Sequence, residues 1–162
     1  MDICHTELFK EILSDIMYSF RNAVIRLTDT NVDIKLTKIR TTPIIIDKNK
    51  THQLTGTIQD LVGGHIQCIL DDTFVNFMIQ HINHEIEQEF IIDMFMEYVF
   101  DLFSHTAKNN KLQIELDNNI DTEWNNNIYY IQYNVKVIKD NEIISTKLII
   151  GVDELTSLYF EN

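Results

Sequence analysis

Carboxylates at a regular interval are the residues most able to do chemistry in this chain. Glu85, Glu89, Asp93, Glu97 and Asp101 recur in steps of four, and His105 continues the series. Four residues turn an α-helix by about 400°, so these side chains follow one slowly winding stripe. Like charges at this spacing destabilise an isolated helix by about 0.2–0.5 kcal/mol per pair. Such a stripe has two uses. It is the solvated side of an amphipathic helix, or it is a negative ridge that docks a basic partner or a divalent cation. Carboxylates at this spacing hold Mg²⁺ only with ligands from other elements, so a partner's lysine is the simpler complement and no metal or cofactor is expected.

The other chemistry-bearing residues are sparse. His81 and His84 stand three apart beside Glu85, but no third ligand accompanies them, and they read as surface histidines at a helix–helix junction. Cys4 and Cys68 are far apart and outside any C-x-x-C spacing, which points to incidental or buried thiols. Gly63-Gly64 precedes a strand-like run, whereas a phosphate-cradling loop opens a helix. No G-x-S-x-G and no Ser/His/Asp arrangement is present.

The charge balance limits the partners. The chain has 162 residues, 13 Lys+Arg against 25 Asp+Glu, and a formal net charge of -12. No Lys/Arg cluster is visible along the sequence. Nucleic-acid binding depends on cations meeting phosphates, so nucleic acid and anionic membrane surfaces are disfavoured, and a basic protein face is the natural complement. The start, MDICHTELFK, has neither a positive flank nor an apolar core, and no run of about 18 apolar residues occurs. A cytoplasmic protein is expected.

The elements that must carry these residues are regular, because Gly (4) and Pro (1) are scarce. Thr6 to Val24 has Phe9, Ile12, Leu13, Ile16, Met17 and Phe20 at helical spacing, with Thr6 as cap. Val32 to Ile39 alternates as a strand, Pro43 interrupts, and Ile44 to Ile46 reads as a short edge piece. Thr55 to Leu70 carries two strand-like halves about Gly63-Gly64, which suits a hairpin. Asp71 or Asp72 caps a short helix to His81. The longest helix runs from about Glu85 to Ala107, with Asn83 as cap and an apolar face of Ile91, Met94, Phe95, Tyr98, Val99, Leu102 and Phe103. Lys111 to Leu116 is a further strand.

Ile128 to Ile138 and Ile143 to Ile150 form a hairpin about Lys139–Glu142, and Asp153 caps a final turn. The Ile128–Ile138 strand is rich in Tyr, with Tyr130 on its otherwise polar side. If it lies at an edge it can pair with a second copy, which makes Tyr130, Gln132 and Asn134 candidate dimer-interface residues. Core packing is the alternative. Hairpins with unevenly placed helices give an α+β fold, not a doubly wound sheet. The length fits a single domain over 1–162.

This pattern resembles the CheX/CheC-like chemotaxis phosphatase family, nearest to CheX. The paired segments Thr55–Ile58 and Ile66–Leu70, the short helix Asp72–His81, the long helix ending near Ala107-Lys108 and the closing hairpin Ile128–Ile150 carry the resemblance, over about residues 5–152. It implies a mixed or antiparallel sheet with two long helices packed on it. It also implies a Glu-x-x-Asn motif on the exposed face of the long helix. In that family the acid engages a lysine of a phosphorylated receiver domain and the amide orients the attacking water, a positioning mechanism.

Here Glu97-Tyr98-Val99-Phe100 keeps the acid and has Phe100 in the amide's place. Phenylalanine neither donates nor accepts a hydrogen bond. Glu97 is thus the candidate catalytic acid, and Asp93, Glu97, Phe100, Asp101 and Ser104 are candidate partner-binding residues. Three functions stay open: a signalling module that binds a response-regulator receiver domain or another protein with lost or weak phosphatase activity, an active aspartyl-phosphate phosphatase with a displaced site, and a dimerising assembly protein.

Overall fold

A computed structural model describes residues 7–59, 64–82, 87–106, 113–117 and 123–160. The first apolar stripe winds α1 (Glu7–Thr28). The helix runs past Val24 because Ala23 and Val24 continue its buried face and the Thr28 hydroxyl donates back to the Val24 carbonyl at 2.6 Å. Asp29, at φ 53°, turns the chain out through the left-handed region, which Asp tolerates. Then follow β1 (Asn31–Arg40), β2 (Thr51–Ile58), β3 (His65–Asp71), α2 (Asp72–His81), α3 (Gln88–Thr106), β4 (Ile114–Leu116), β5 (Asn127–Lys139), β6 (Glu142–Asp153) and α4 (Glu154–Phe160). Asp71 caps α2 by accepting from the Phe74 amide at 3.0 Å, and Asp153 caps α4 by accepting from the Thr156 amide at 2.8 Å.

The six strands form one sheet in the order β1-β5-β6-β3-β2-β4, every neighbouring pair antiparallel. This is the α+β, hairpin-built architecture expected from the sequence, with the two long helices α1 and α3 on one face. That front face is the core. Ile131, Tyr133, Val135 and Val137 of β5 point into it, as do Leu148, Ile150 and Val152 of β6. Phe20 of α1, Phe74 of α2 and Phe95 of α3 meet ring to ring, with centroids 5.3, 5.4 and 5.5 Å apart. Three aromatic side chains from three helices thereby bind the helical layer together. Burial pushes the Cys68 thiol up to about 12, and it pushes the Tyr133 phenol upward too. Cys4, Thr6, Gly63, Asn83, His84, Glu85, Ala107, Lys108 and Lys111 lie outside the described residues, and so do the roles expected of them.

The described residues cover only part of the back of the sheet. After Arg40 the chain crosses it as a strap, and Ile44 and Ile46 pack with Ile69, Trp124, Tyr130 and Ile149. Ile44 to Ile46 is therefore not an edge strand. Its Ile44 carbonyl accepts from the Trp124 indole at 3.2 Å instead of from a neighbouring strand. Gly151 makes the cover possible: a Cβ there would lie 2.4 Å from Asn127 Nδ2 and 2.7 Å from the Trp124 ring. Asn127 is in turn held by Gln67 Oε1 at 2.7 Å and the Trp124 carbonyl at 2.8 Å.

This arrangement corrects the expected edge pairing through β5 and the expected contact of Tyr130. β5 is an interior strand between β1 and β6, so it offers no free edge. Tyr130 is fully buried under Trp124, its hydroxyl donating to the Asn127 carbonyl at 3.0 Å. Gln132 is half-buried and Asn134 is exposed, both on the back face. Among the described residues no helix is long and apolar enough to cross a membrane.

Candidate functional site

The acidic stripe belongs to α3, a helix wedged between α1 and the β2–β4 end of the sheet. Packing on two sides widens its buried face beyond a single stripe. Phe95, Val99 and Phe103 are buried, and so are Met96 and Phe100 on the flank toward β2 and β4. Phe100 is 4% exposed. Its ring is core, so although Phe100 is among the residues lining the α3–β4 groove it offers a partner little surface. It rests on Gly56 of β2, where a Cβ would stand 3.0 Å from Phe100 Cζ and 2.4 Å from Ile114 Cγ2. Glycine at this position lets α3 approach the strand backbone.

Ser104 closes the same joint. Its hydroxyl donates to the Phe100 carbonyl at 2.9 Å and accepts from the Ile114 amide at 3.4 Å. Ser104 therefore ties β4 to α3, with its polar group already engaged inside the chain.

The carboxylates separate as the stripe winds. Asp93 lines a groove of about 340 Å³ between α2, α3 and β2, together with His52, Gln88 and Ile92. Glu97 and Asp101 line a different groove, of about 470 Å³, between α3 and β4. Both are exposed, as is Glu115 of β4 on the opposite wall, while Met94, Tyr98 and Leu116 supply apolar surface. His105 extends the line, with Nδ1 2.7 Å from the Asp101 carbonyl and 3.9 Å from Oδ1 of the same residue. The Glu89 side chain lies outside the described residues.

Thus Glu97 and Asp101 converge on one open groove, while Phe100 and Ser104 belong to the scaffold beneath it and Asp93 faces another side. Glu115, which sequence reasoning did not single out, also lines the groove, but its neighbours Ile114 and Leu116 face the core, so strand alternation turns its side chain to the side of Thr57, its partner on β2. The groove can attract cations and cover apolar stems. It presents no amide beside Glu97 on the next turn, where Phe100 stands. Among the described residues no group of three or more His, Cys, Asp or Glu is placed to hold a metal ion. His81, at the end of α2, packs its ring 4.5 Å from that of Phe77.

No protein-family model and no curated protein matches the sequence. Solved structures do. The FliM middle domain of Vibrio alginolyticus superposes with a TM-score of 0.64 at 12% identity, covering 95% of this chain and 98% of that one. A chain of the FliG–FliM complex of H. pylori gives 0.66 at 11%, covering 96% of each. Thermotoga maritima FliY gives 0.58 at 10%, covering 90% of this chain and 88% of that one. Vibrio vulnificus CheX also matches, with a TM-score of 0.47 and 13% identity. The chain has the CheX/CheC-like fold that FliM and FliY share.

Proposed function

We propose that this chain is a signalling and assembly module that docks a partner protein's basic surface in the α3–β4 groove and does not hydrolyse aspartyl phosphate. The observation that carries this reading is the division of labour on α3. Glu97 and Asp101 are exposed on the groove, while Phe100 is buried against Gly56. An acid that can meet a partner's lysine is present. The amide that the resemblance places three residues on is not, since Phe100 stands there.

Likeness of fold supports a protein partner: FliM of H. pylori has been solved in complexes with FliG and with SpeE. A receiver domain of a response regulator is the partner that the sequence resemblance implies, with Glu97 meeting its lysine. Exposed charges govern encounter rate and salt dependence more than raw affinity, so the complex is salt-sensitive.

The test is a binding titration against a panel of receiver domains, with and without beryllofluoride, using wild type, Glu97→Lys and Glu97→Lys/Asp101→Lys. Binding should weaken about tenfold or more in the double variant and fall as salt rises. A complex that forms equally well with both reversals would remove the groove from the account.

A further inference from the structure

The open part of the back face is basic. Its charges come from three strands distant in sequence, so no run of residues announces them. In the ladder β1-β5-β6, Lys35 stands opposite Asn134 and Asn134 opposite Lys147. One row on, Asp33 stands opposite Lys136 and Lys136 opposite Ser145. On the other side Lys38 pairs with Gln132, then Arg40 with Tyr130 beside the strap. The side chains alternate across the sheet. Val135, Val137 and Leu148 are buried at the front, and Lys35, Lys38, Lys136 and Lys147 are exposed at the back.

Lys35, Lys38, Arg40, Lys136 and Lys147 are drawn from only 13 Lys+Arg in a chain of net charge -12. Asp33 is the acid among them, 3.9 Å from Lys35 with both side chains well exposed, a pair worth little in water. Lys38, Lys136 and Lys147 have no ion-pair partner among the described residues.

The α3–β4 groove on the other side of the sheet bears the opposite sign, with Glu97 and Asp101 exposed on α3 and one cation, Arg26 of α1, reaching the Tyr98 hydroxyl at 3.2 Å. The groove and the back face of β1-β5-β6 are therefore of opposite sign. We infer that the basic back face of β1-β5-β6 binds the acidic α3–β4 groove of a second copy, so that copies associate head to tail. The occupant follows from charge complementarity between two surfaces of the same chain. Asn134, Gln132 and Ser145 between the lysines add hydrogen-bonding groups that can meet carboxylates. A nucleic acid fits the face less well, because among the described residues the aromatic side chains on the back of the sheet, Tyr130 and Trp124, are buried and cannot stack on a base. Since the two contact surfaces differ, the association is heterologous, and it continues into a ring or a filament instead of stopping at a symmetric dimer.

This inference uses the groove of the preceding section but not its partner, so its failure leaves that proposal standing. The test is sedimentation equilibrium over a concentration series, at low salt and at about 0.5 M salt, where the Debye length has shrunk to a few ångströms. Wild type should self-associate at low salt and dissociate at high salt. Lys136→Glu/Lys147→Glu and Glu97→Lys/Asp101→Lys should each weaken association about tenfold or more. All four positions are exposed, and circular dichroism checks that both variants fold.

Mixing the two variants should restore association, because each keeps the surface that the other has lost and the reversed surfaces match one another. Wild type that stays monomeric at every concentration in low salt would overturn the inference. So would variants that associate alone as well as wild type, or a mixture that fails to recover. Retention of a single-stranded oligonucleotide by wild type, lost in the lysine variant and without self-association, would assign the face to nucleic acid instead.

Discussion

At the scale of single residues, the deciding fact is where Phe100 points. A phenylalanine at the position of a water-orienting amide could be a mere substitution on an exposed surface. Its contact with Gly56 and its burial make it part of the core. Replacing it with the motif's own residue, Phe100→Asn, should therefore cost about 3–5 kcal/mol in urea unfolding, from lost burial and a cavity, with an amide left short of partners. A variant as stable as wild type would mean the ring is not packed as described.

Cys68 gives a second prediction at this scale. Its thiol ordinarily titrates at 9.0, and burial holds it up to about 12 in the folded chain. The unfolded chain thus loses this proton first as pH rises, so the contribution is intact below about pH 9 and is lost progressively above it. Between pH 9.0 and 10.0, before the ordinary range of Tyr133 is reached, wild-type stability should fall more steeply than that of Cys68→Ala. The difference approaches about 1.4 kcal/mol per pH unit. Equal slopes for the two proteins would contradict the burial of the thiol.

At the scale of elements, the joint of α3 with β2 and β4 sets the groove. Gly56→Ala places a methyl carbon 2.4 Å from Ile114 Cγ2 and 3.0 Å from Phe100 Cζ. Such overpacking typically costs about 1–3 kcal/mol, and it should push α3 or β4 outward. Thermal unfolding together with amide exchange at Ile114, whose amide reaches Ser104, checks both effects. Unchanged stability and exchange would refute the joint.

This is also the scale at which the sequence was most legible. The periods of 3.6 and 2.0 reveal α1, α2, α3 and the β5/β6 hairpin, with Asp153 as one cap and Asp71 or Asp72 as the other, of which the structure uses Asp71. The strap escaped because Ile44, Ile45 and Ile46 read locally as strand. Only the indole of Trp124, 80 residues away, holds the Ile44 carbonyl outside the ladder. The expected Tyr130 contact failed for a related reason. An edge strand and an interior strand alternate alike, and sheet order decides which is which.

At the scale of the whole molecule, the charge is segregated, although the overall balance only announces an acidic protein. The stripe of α3 carboxylates could be read directly, since one helix carries it. Its splitting into two grooves could not, because Asp93 and Glu97 part company only where α2 and β4 pack on different sides of the helix. The basic back face was illegible for the opposite reason, as strand pairing gathers Lys35, Lys136 and Lys147 from across more than half the chain. A net charge of -12 excludes an overall attraction to polyanions at long range, but it does not exclude a local surface of the other sign.

The central claim is that α3 offers an acid for docking while the residue that would complete hydrolysis has been absorbed into the core. Its most direct test is the lifetime of the phosphoryl group on a receiver domain that the chain has been shown to bind. That lifetime should be the same with a saturating excess of this protein as without it. A clear shortening that disappears in Glu97→Gln would contradict the account, and would show that a group other than Phe100 orients the water.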